Sequence, residues 1–198
     1  MIDQLKAVLN FIVPFTGDEL EKIASCFKPK SVLRGEIVLK NGDTCREFYL
    51  VSKGCIRTYF IDRKGNEKTR YIMPSNYIGT ALTSFISESP SFEIIDTLND
   101  SELLVISRED FYMLNDELPK WKVFYQKILE MAYSFQTHKI ESIVTLSARQ
   151  RFEQAMKENA SLFQLVSNKV LASYLDMTPE TLSRLKSKQS DFDLDQCL

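Results

Sequence analysis

Residues 166–188 read VSNKVLASYLDMTPETLSRLKSK, a pattern that predicts two short helices joined by a tight turn. Ser167 or Asn168 can cap the first helix, because each side chain offers an oxygen to the unpaired backbone N–H groups of the first turn. The apolar residues that follow recur at helical spacing: Val170, Leu171, Ala172 and Leu175. The first helix therefore has one apolar side, which a second helix is expected to cover.

The turn and the start of the second helix carry signals of their own. Asp176 stands where the chain must reverse, and aspartate adopts the left-handed backbone conformation more readily than most residues that carry a Cβ. Thr178 can then cap a second helix, with Pro179 at the first helical position, where a missing N–H costs nothing. These signals, in this order, predict a helix-turn-helix.

The second helix has an inner and an outer side. Leu182 and Leu185 lie about 60° apart at roughly 100° per residue, and we expect them to pack on the first helix. The outer side offers an acceptor, hydroxyls and a guanidinium: Glu180, Ser183, Arg184 and Ser187. Such groups read base edges in the major groove of DNA. An ordinary helical hairpin in an all-helical domain has the same pattern and stays open at this point.

The charge around this segment is modestly positive. Between residues 168 and 190, basic residues outnumber acidic ones by four to two. The four basic residues are Lys169, Arg184, Lys186 and Lys188. The net charge of −2 for the whole chain argues against a protein that coats nucleic acid non-specifically. The three lysines are candidates for phosphate contacts, and a dimer would present them twice.

Composition limits the class of protein. A chain of 198 residues with 44% hydrophobic and 26% charged residues suits one large or two small globular domains. No run approaches the ~18 apolar residues of a membrane span, and the amino terminus lacks a signal-peptide layout, so we expect a cytoplasmic location. The single histidine is His138, and the scattered cysteines lack metal or redox spacing: Cys26, Cys45, Cys55 and Cys197. No metal or cofactor is expected.

The amino-terminal part predicts helices followed by a β-rich domain. Residues 16–19, TGDE, form a capping-box pattern before an apolar helical segment, which Pro29 ends. From residue 31 to residue 107, short β-rich runs alternate with turn signals such as NGD at 41–43. Strands at this regular spacing are typical of a compact antiparallel sandwich or barrel.

Pro119 opens the longest helical pattern, which runs to about Val144. The segment would be roughly 39 Å long at 1.5 Å per residue, which is more than a small barrel can cover. We therefore expect the exposed remainder to pair with its copy in a second chain, and packing wholly within one chain is the alternative. The dimerisation residues predicted from its apolar stripe are Trp121, Tyr125, Ile128, Ala132 and Phe135.

This order of elements resembles the Crp/Fnr family of bacterial transcription regulators along essentially the whole chain. The most specific match is TPETLSR at 178–184, which is similar to the start of the family's recognition helix. The resemblance implies that Glu180 and Arg184 read bases and that Thr181 contacts phosphate. Pro179 fills another base-reading position of the family. About ten residues follow Lys188, so the family's β-hairpin wing is expected to be missing or vestigial.

The resemblance also implies an architecture and a set of partners. The fold class is α+β, with a cyclic-nucleotide-binding-like jelly-roll barrel over residues 1–118, a dimerisation helix over 119–145 and a helix-turn-helix domain over 146–198. The implied function is that of a homodimeric, sequence-specific transcription regulator. Its implied partners are double-stranded DNA and a second copy of the chain, with RNA polymerase as a further candidate.

In the barrel, residues 77–82, YIGTAL, resemble the family's cassette for a cyclic-nucleotide phosphate. The candidate effector-binding residues are Gly79, Thr80, Ala81 and Ser91. Thr80 replaces the glutamate that takes the ribose hydroxyl, and residues 89–93 contain no arginine for the phosphate. We expect Glu93 to repel an anion there, and each lost charge-assisted bond costs on the order of 1.5–3 kcal/mol. The sequence thus predicts a degenerate pocket that does not bind cyclic AMP and takes an unknown small molecule or none.

Two other classes of protein are alternatives to this hypothesis. A barrel enzyme of the cupin type would need two or more histidines for its metal, and residues 31–107 contain none, so we expect a protein that is not an enzyme. An effector-binding module that acts through protein contacts without DNA is the alternative function.

Overall fold

The computed structural model describes the backbone of residues 1–195 and the side chains of residues 1–188. Helices and strands alternate irregularly through its first part. In chain order they are α1 (Ile2–Ile12), α2 (Gly17–Ser25), β1 (Lys28–Val32), β2 (Ile37–Leu39), β3 (Glu47–Lys53), β4 (Cys55–Ile61), β5 (Glu67–Pro74), β6 (Ile78–Gly79), α3 (Leu82–Ser87), β7 (Ile94–Thr97), β8 (Ser101–Ser107) and α4 (Arg108–Glu117).

The second part of the described chain is entirely helical. It consists of α5 (Pro119–Thr145), α6 (Ala148–Asn159), α7 (Leu162–Leu165), α8 (Asn168–Tyr174) and α9 (Pro179–Asp195). None of the helices in the described residues is long and apolar enough to cross a membrane. The expected α+β class is confirmed, with strands confined to the first part.

In the described part of the chain, eight strands form two four-stranded sheets, in the orders β1-β8-β3-β6 and β2-β7-β4-β5. The pairs β1–β8, β3–β8, β3–β6, β2–β7 and β4–β7 are antiparallel. Strand β8 lies between β1 and β3, and its four consecutive apolar residues 103–106 are all buried, as suits a strand in the interior of a sheet. Strand β1 contains Pro29 and was not predicted from the sequence. It is an edge strand, the position at which a sheet tolerates proline.

The barrel core continues into the flanking helices. Phe48, Phe85 and Phe111 are fully buried and contact one another, with ring centroids 5.1–5.6 Å apart. The predicted capping box begins α2, since the Glu19 carboxylate accepts the Thr16 N–H at 2.7 Å and the Thr16 hydroxyl accepts the Glu19 N–H at 3.4 Å. The aromatic contacts join α3 and α4 to the barrel core, and the capping box determines where α2 begins.

Residue contacts divide the chain into two compact units. Residues 1–60 and 70–133 form the barrel unit, and residues 61–69 and 134–198 form the helix-turn-helix unit. The division falls inside α5 and at the tip of the β4–β5 hairpin, whereas the sequence predicts boundaries at the two ends of the long helix.

Candidate DNA-reading and effector sites

The local signals of the helix-turn-helix are present as predicted. The Ser167 hydroxyl accepts the Val170 N–H at 3.4 Å and caps α8. Asp176 has φ of 50°, the left-handed conformation that reverses the chain. The Thr178 hydroxyl accepts the Thr181 N–H at 3.2 Å, which caps α9. Short-range hydrogen bonds therefore determine where each helix begins.

Apolar packing orients α9 against α8. Leu182 is fully buried and Leu185 is half-buried, on the side of α9 that faces α8. The residues buried on α8 and its carboxyl end are those of the predicted apolar side: Val170, Leu171, Ala172 and Leu175. With Leu182 held inside, the opposite side of α9 faces solvent.

That opposite side, the reading face, consists of Glu180, Ser183, Arg184 and Ser187, all exposed. Hydrogen bonds from its own backbone N–H and from the Thr178 side chain lower the pKa of the Glu180 carboxyl. Glu180 is therefore an anionic acceptor at neutral pH, beside the guanidinium of Arg184 one turn further on. Thr181 is half-buried, and its hydroxyl accepts a hydrogen bond from the Thr178 hydroxyl at 3.2 Å.

The three candidate phosphate-binding lysines differ in position. Lys188 is exposed next to the reading face. The ammonium of Lys186 instead donates to the Asn168 side chain at 2.6 Å and lies 5.5 Å from the centre of the Phe163 ring. Lys169 is exposed on α8, with Glu67 4.0 Å away. The structure thus places Lys186 among contacts within the helical unit rather than beside Arg184.

Arg151 of α6 contacts the turn between α8 and α9, a role that sequence reasoning missed. Its guanidinium donates to three backbone carbonyls, those of Leu146 at 2.6 Å, Leu175 at 2.9 Å and Asp176 at 3.0 Å. These carbonyls belong to helix ends and to the turn, where backbone acceptors lack helical partners. One side chain therefore ties the end of α5 to the turn of the helix-turn-helix.

Lys139 of α5 makes a second contact of this kind. Its ammonium donates to the Tyr174 carbonyl and lies 3.8 Å from the centre of the Tyr174 ring. Burial lowers the pKa of Lys139 to about 8, with the nearby Asp176 opposing the shift and Arg151 adding to it. The end of α8 is thus held by two basic side chains that only the folded chain brings together.

In the barrel, the cassette residues are engaged within the chain. A Cβ added at Gly79 would lie 2.9 Å from the Met73 sulfur, so a larger residue there would require the Met73 side chain to move. The Thr80 hydroxyl donates to the Glu47 carbonyl at 2.6 Å and lies 3.0 Å from the Cys45 sulfur. The hydroxyl that replaces the family's glutamate therefore serves an internal contact.

The other two candidate effector residues are buried. Ala81 is fully buried at the start of α3. The Ser91 hydroxyl donates to the Glu93 carbonyl at 2.9 Å and accepts the Glu93 N–H at 3.0 Å. Backbone bonds to Gly42 and Asp43 hold the same residue against the preceding loop. The Ser91 hydroxyl is thus committed to the backbone of its own loop.

The Glu93 charge, which was expected to repel an anion, is paired within the chain. The Glu93 carboxylate accepts from the Arg70 guanidinium at 2.6 Å, and the Glu93 side chain is only 11% exposed. Arg70 lies on β5, twenty-three residues earlier in the chain, so local sequence around the cassette could not reveal it. Arg70 and Glu93 of the barrel thus pair with each other close to the cassette.

A second internal ion pair lies on the same sheet. Arg57 and Asp96 face each other across β4 and β7 and share two hydrogen bonds, at 2.8 and 2.9 Å. The Arg57 guanidinium also lies 4.1 Å from the centre of the Tyr59 ring. Next to it in the chain, the buried Thr58 hydroxyl has no hydrogen-bond partner among the described residues. Both ion pairs were missed from the sequence, because they depend on strand register.

Within the described residues, no group of three or more His, Cys, Asp or Glu could hold a metal ion. Cys45 and Cys55 are buried and Cys26 is half-buried, and burial raises the pKa of each thiol. These three cysteines therefore pack as small apolar side chains, as expected, and Cys197 lies outside the described residues.

Comparison with known proteins agrees with this arrangement. The cyclic nucleotide-binding domain family matches residues 29–117. The anaerobic regulatory protein of Haemophilus influenzae is 26% identical, over 90% of this chain and 74% of its own length. The sequence resembles these regulators along nearly its whole length, and the expected resemblance to the Crp/Fnr family is confirmed. Its relatives are transcription regulators, so the expectation of a protein that is not an enzyme is confirmed.

Solved structures share the Crp/Fnr fold with this chain. A Crp/Fnr transcriptional regulator from Eubacterium rectale matches 89% of this chain and 85% of its own, with a TM-score of 0.68 and 22% identity. The c-di-GMP-responsive global regulator CLP of Xanthomonas campestris matches 89% of this chain and 93% of its own, with a TM-score of 0.72 and 18% identity.

The long helix is the expected dimerisation element, and three of its five predicted dimerisation residues point toward their own barrel unit. Trp121 is fully buried, and its indole N–H donates to the Phe111 carbonyl at 3.0 Å. Ile128 is also buried, and the Tyr125 hydroxyl lies 3.2 Å from that of Tyr112. These side chains belong to the core of their own barrel unit, which corrects the prediction.

The other two predicted residues, Ala132 and Phe135, are half-buried. A different side of α5 carries exposed apolar side chains. The exposed stripe consists of Tyr133, Ile140 and Val144, which are 75%, 61% and 76% exposed and lie within about 40° of one another at helical spacing. Sequence reasoning missed this stripe, because the more continuous apolar pattern on the inner side dominates.

Proposed function

We propose that this Crp/Fnr protein is a homodimeric transcription regulator that reads DNA with the outer side of α9. The observation that carries the proposal is the reading face, in which an ionised Glu180, two serine hydroxyls and Arg184 are exposed while Leu182 is buried. A carboxylate accepts from the cytosine amino group and a guanidinium donates to guanine acceptors. Lys169 and Lys188 are the proposed phosphate contacts, with Thr181 as a third.

We infer that the dimer forms along the exposed stripe of α5. Tyr133 and Ile140 are seven residues apart and Val144 follows four later, which is the spacing of a coiled-coil seam. These three exposed apolar side chains lie on one side of the helix, where a second copy would cover them. A symmetric dimer would present two reading faces to two half-sites.

The internal contacts of the barrel support an effector other than cyclic AMP, or none. Thr80 and Ser91 use their hydroxyls within the chain, and Arg70 is paired with Glu93. A phosphate would have to compete with the Glu93 carboxylate for the Arg70 guanidinium, which that carboxylate already contacts at 2.6 Å. RNA polymerase is a candidate protein partner of a Crp/Fnr regulator.

Substitution of Arg184 by alanine tests the proposed reading face. We expect Arg184→Ala to lose sequence preference, since one bidentate arginine–guanine contact gives about 1–3 kcal/mol of discrimination. Gel-shift titration with duplexes selected by the protein, against scrambled competitors, measures this. The control is Arg149→Ala, which removes another exposed guanidinium, paired on α6 with Glu153. Unchanged discrimination by Arg184→Ala in an intact dimer would refute the assignment. No retention of any duplex would favour a module that acts only through protein contacts.

A further inference from the structure

The tip of the β4–β5 hairpin belongs to the helix-turn-helix unit and is closed by hydrogen bonds within the loop. The Asp62 carboxylate accepts the backbone N–H groups of Lys64 at 2.8 Å and Asn66 at 2.9 Å. The turn closes through Gly65, whose φ of 81° suits a residue without a Cβ. These hydrogen bonds within the loop therefore define the conformation in which residues 61–69 meet their neighbours.

Strand β5 of the hairpin is an edge strand, because it stands last in the order β2-β7-β4-β5. Ser173 of α8 contacts its backbone, since the Ser173 hydroxyl accepts the Thr69 N–H at 2.8 Å and donates to the Glu67 carbonyl at 2.7 Å. Thr69 is only 5% exposed, so this double contact is shielded from water.

Charged side chains flank the Ser173 contact. Lys68 lies 3.4 Å from the Asp176 carboxylate, at the turn between α8 and α9. On the other side, the Glu67 carboxylate lies 4.0 Å from the ammonium of Lys169. Lys169 is a proposed phosphate contact, so a DNA phosphate and the Glu67 carboxylate would compete for the same cation.

We propose that the β4–β5 hairpin is an autoinhibitory latch, which holds α8 through Ser173 and keeps Lys169 beside Glu67 until DNA displaces it. The inference rests on the proposed DNA-reading function. DNA binding that requires the Ser173 contact to open is weakened by that contact. In turn, DNA binding weakens the Ser173 contact by the same free energy. Strand β5 also continues from Thr69 to Arg70, the partner of Glu93, so the ion pair of the barrel is joined by one peptide bond to the latch.

Loss of the Ser173 hydroxyl should raise the affinity for DNA. Two neutral hydrogen bonds of ordinary net strength set the expected rise at roughly tenfold for Ser173→Ala. Glu67→Gln removes only the competing carboxylate and leaves the backbone carbonyl, so we expect a smaller rise that disappears at high salt. The matched control is Ser134→Ala, an exposed serine on α5 in the same unit. Fluorescence anisotropy with a duplex selected by the unsubstituted protein measures all four proteins.

Amide hydrogen exchange of the Thr69 N–H supplies an independent readout in the unsubstituted protein. We expect this amide to be protected in the free protein, to exchange faster in Ser173→Ala, and to lose protection when the selected duplex is added. Equal or weaker DNA binding by Ser173→Ala than by Ser134→Ala would overturn the latch, as would unchanged Thr69 protection on DNA binding. Both of those results leave the DNA-reading function standing. Failure of the unsubstituted protein to bind any duplex would overturn the function and the latch together.

Discussion

A charge at Ile140 should break the dimer, because this residue lies in the middle of the exposed stripe. Full burial of an isoleucine side chain gives about 1.5–3 kcal/mol, so covering the exposed 61% of Ile140 contributes roughly 1–2 kcal/mol in each protomer. Symmetry doubles the loss to roughly 2–4 kcal/mol, which corresponds to a 30- to 1,000-fold weaker dimer. Burial of the new carboxylate adds to this loss. The dimer of Ile140→Asp should therefore be weaker by about 1,000-fold or more.

Sedimentation equilibrium over a range of protein concentrations measures the dimerisation constant directly. Met131→Asp is the matched control, since Met131 is 58% exposed and lies nine residues from Ile140, on the opposite side of the helix at roughly 100° per residue. We expect Ile140→Asp to be monomeric at concentrations where Met131→Asp remains a dimer. Equal effects of the two substitutions, or a dimer that tolerates Ile140→Asp, would refute the proposed seam.

Two further predictions concern pH and ligand. Lys139 has a pKa near 8 in the folded chain and about 10.4 when unfolded, so between these values only the unfolded chain holds the proton. The free energy of unfolding should therefore rise with pH from 8 to 10.5, by up to about 3 kcal/mol, and urea titrations should show a smaller rise for Lys139→Met. An identical pH dependence in both proteins would contradict the burial of this ammonium. Calorimetry with cyclic AMP should give no binding in the micromolar range. A micromolar Kd would show that a phosphate displaces the Glu93 carboxylate from Arg70.

The sequence predicts best what depends on neighbouring residues. The caps at Thr16, Ser167 and Thr178 involve residues three positions apart, and the left-handed Asp176 needs only its own side chain. Each could be read from the sequence, because the hydrogen bonds close within one helical turn. The extent of α5 follows from periodicity in the same way.

Contacts between distant segments could not be predicted, because they depend on register. Arg57 meets Asp96 only when β4 and β7 pair as they do, and a shift of one residue would place the two side chains on opposite faces. The prediction that the inner side of α5 forms the dimer contact failed for a related reason. Periodicity identified an apolar side around Trp121, but it does not say whether that side faces the same chain or another.

The carboxyl-terminal expectation stays a prediction. The backbone of α9 is helical to Asp195, whereas a wing would begin with a strand. The acidic segment from Gln189 has no described side chains, and residues 196–198 lie outside the described residues. The base-reading contacts proposed for this chain therefore rest on the exposed residues of α9 from Glu180 to Ser187.

Selection of duplexes from a random pool by the purified protein tests the central claim most directly. A two-fold symmetric reader predicts an inverted repeat, with half-site centres about 34 Å or 10–10.5 base pairs apart, or a multiple of that distance. The same selection with Arg184→Ala should lose the preferred base at one position of each half-site. Recovery of no common sequence, or of a single site without symmetry, would contradict a paired reading face on α9.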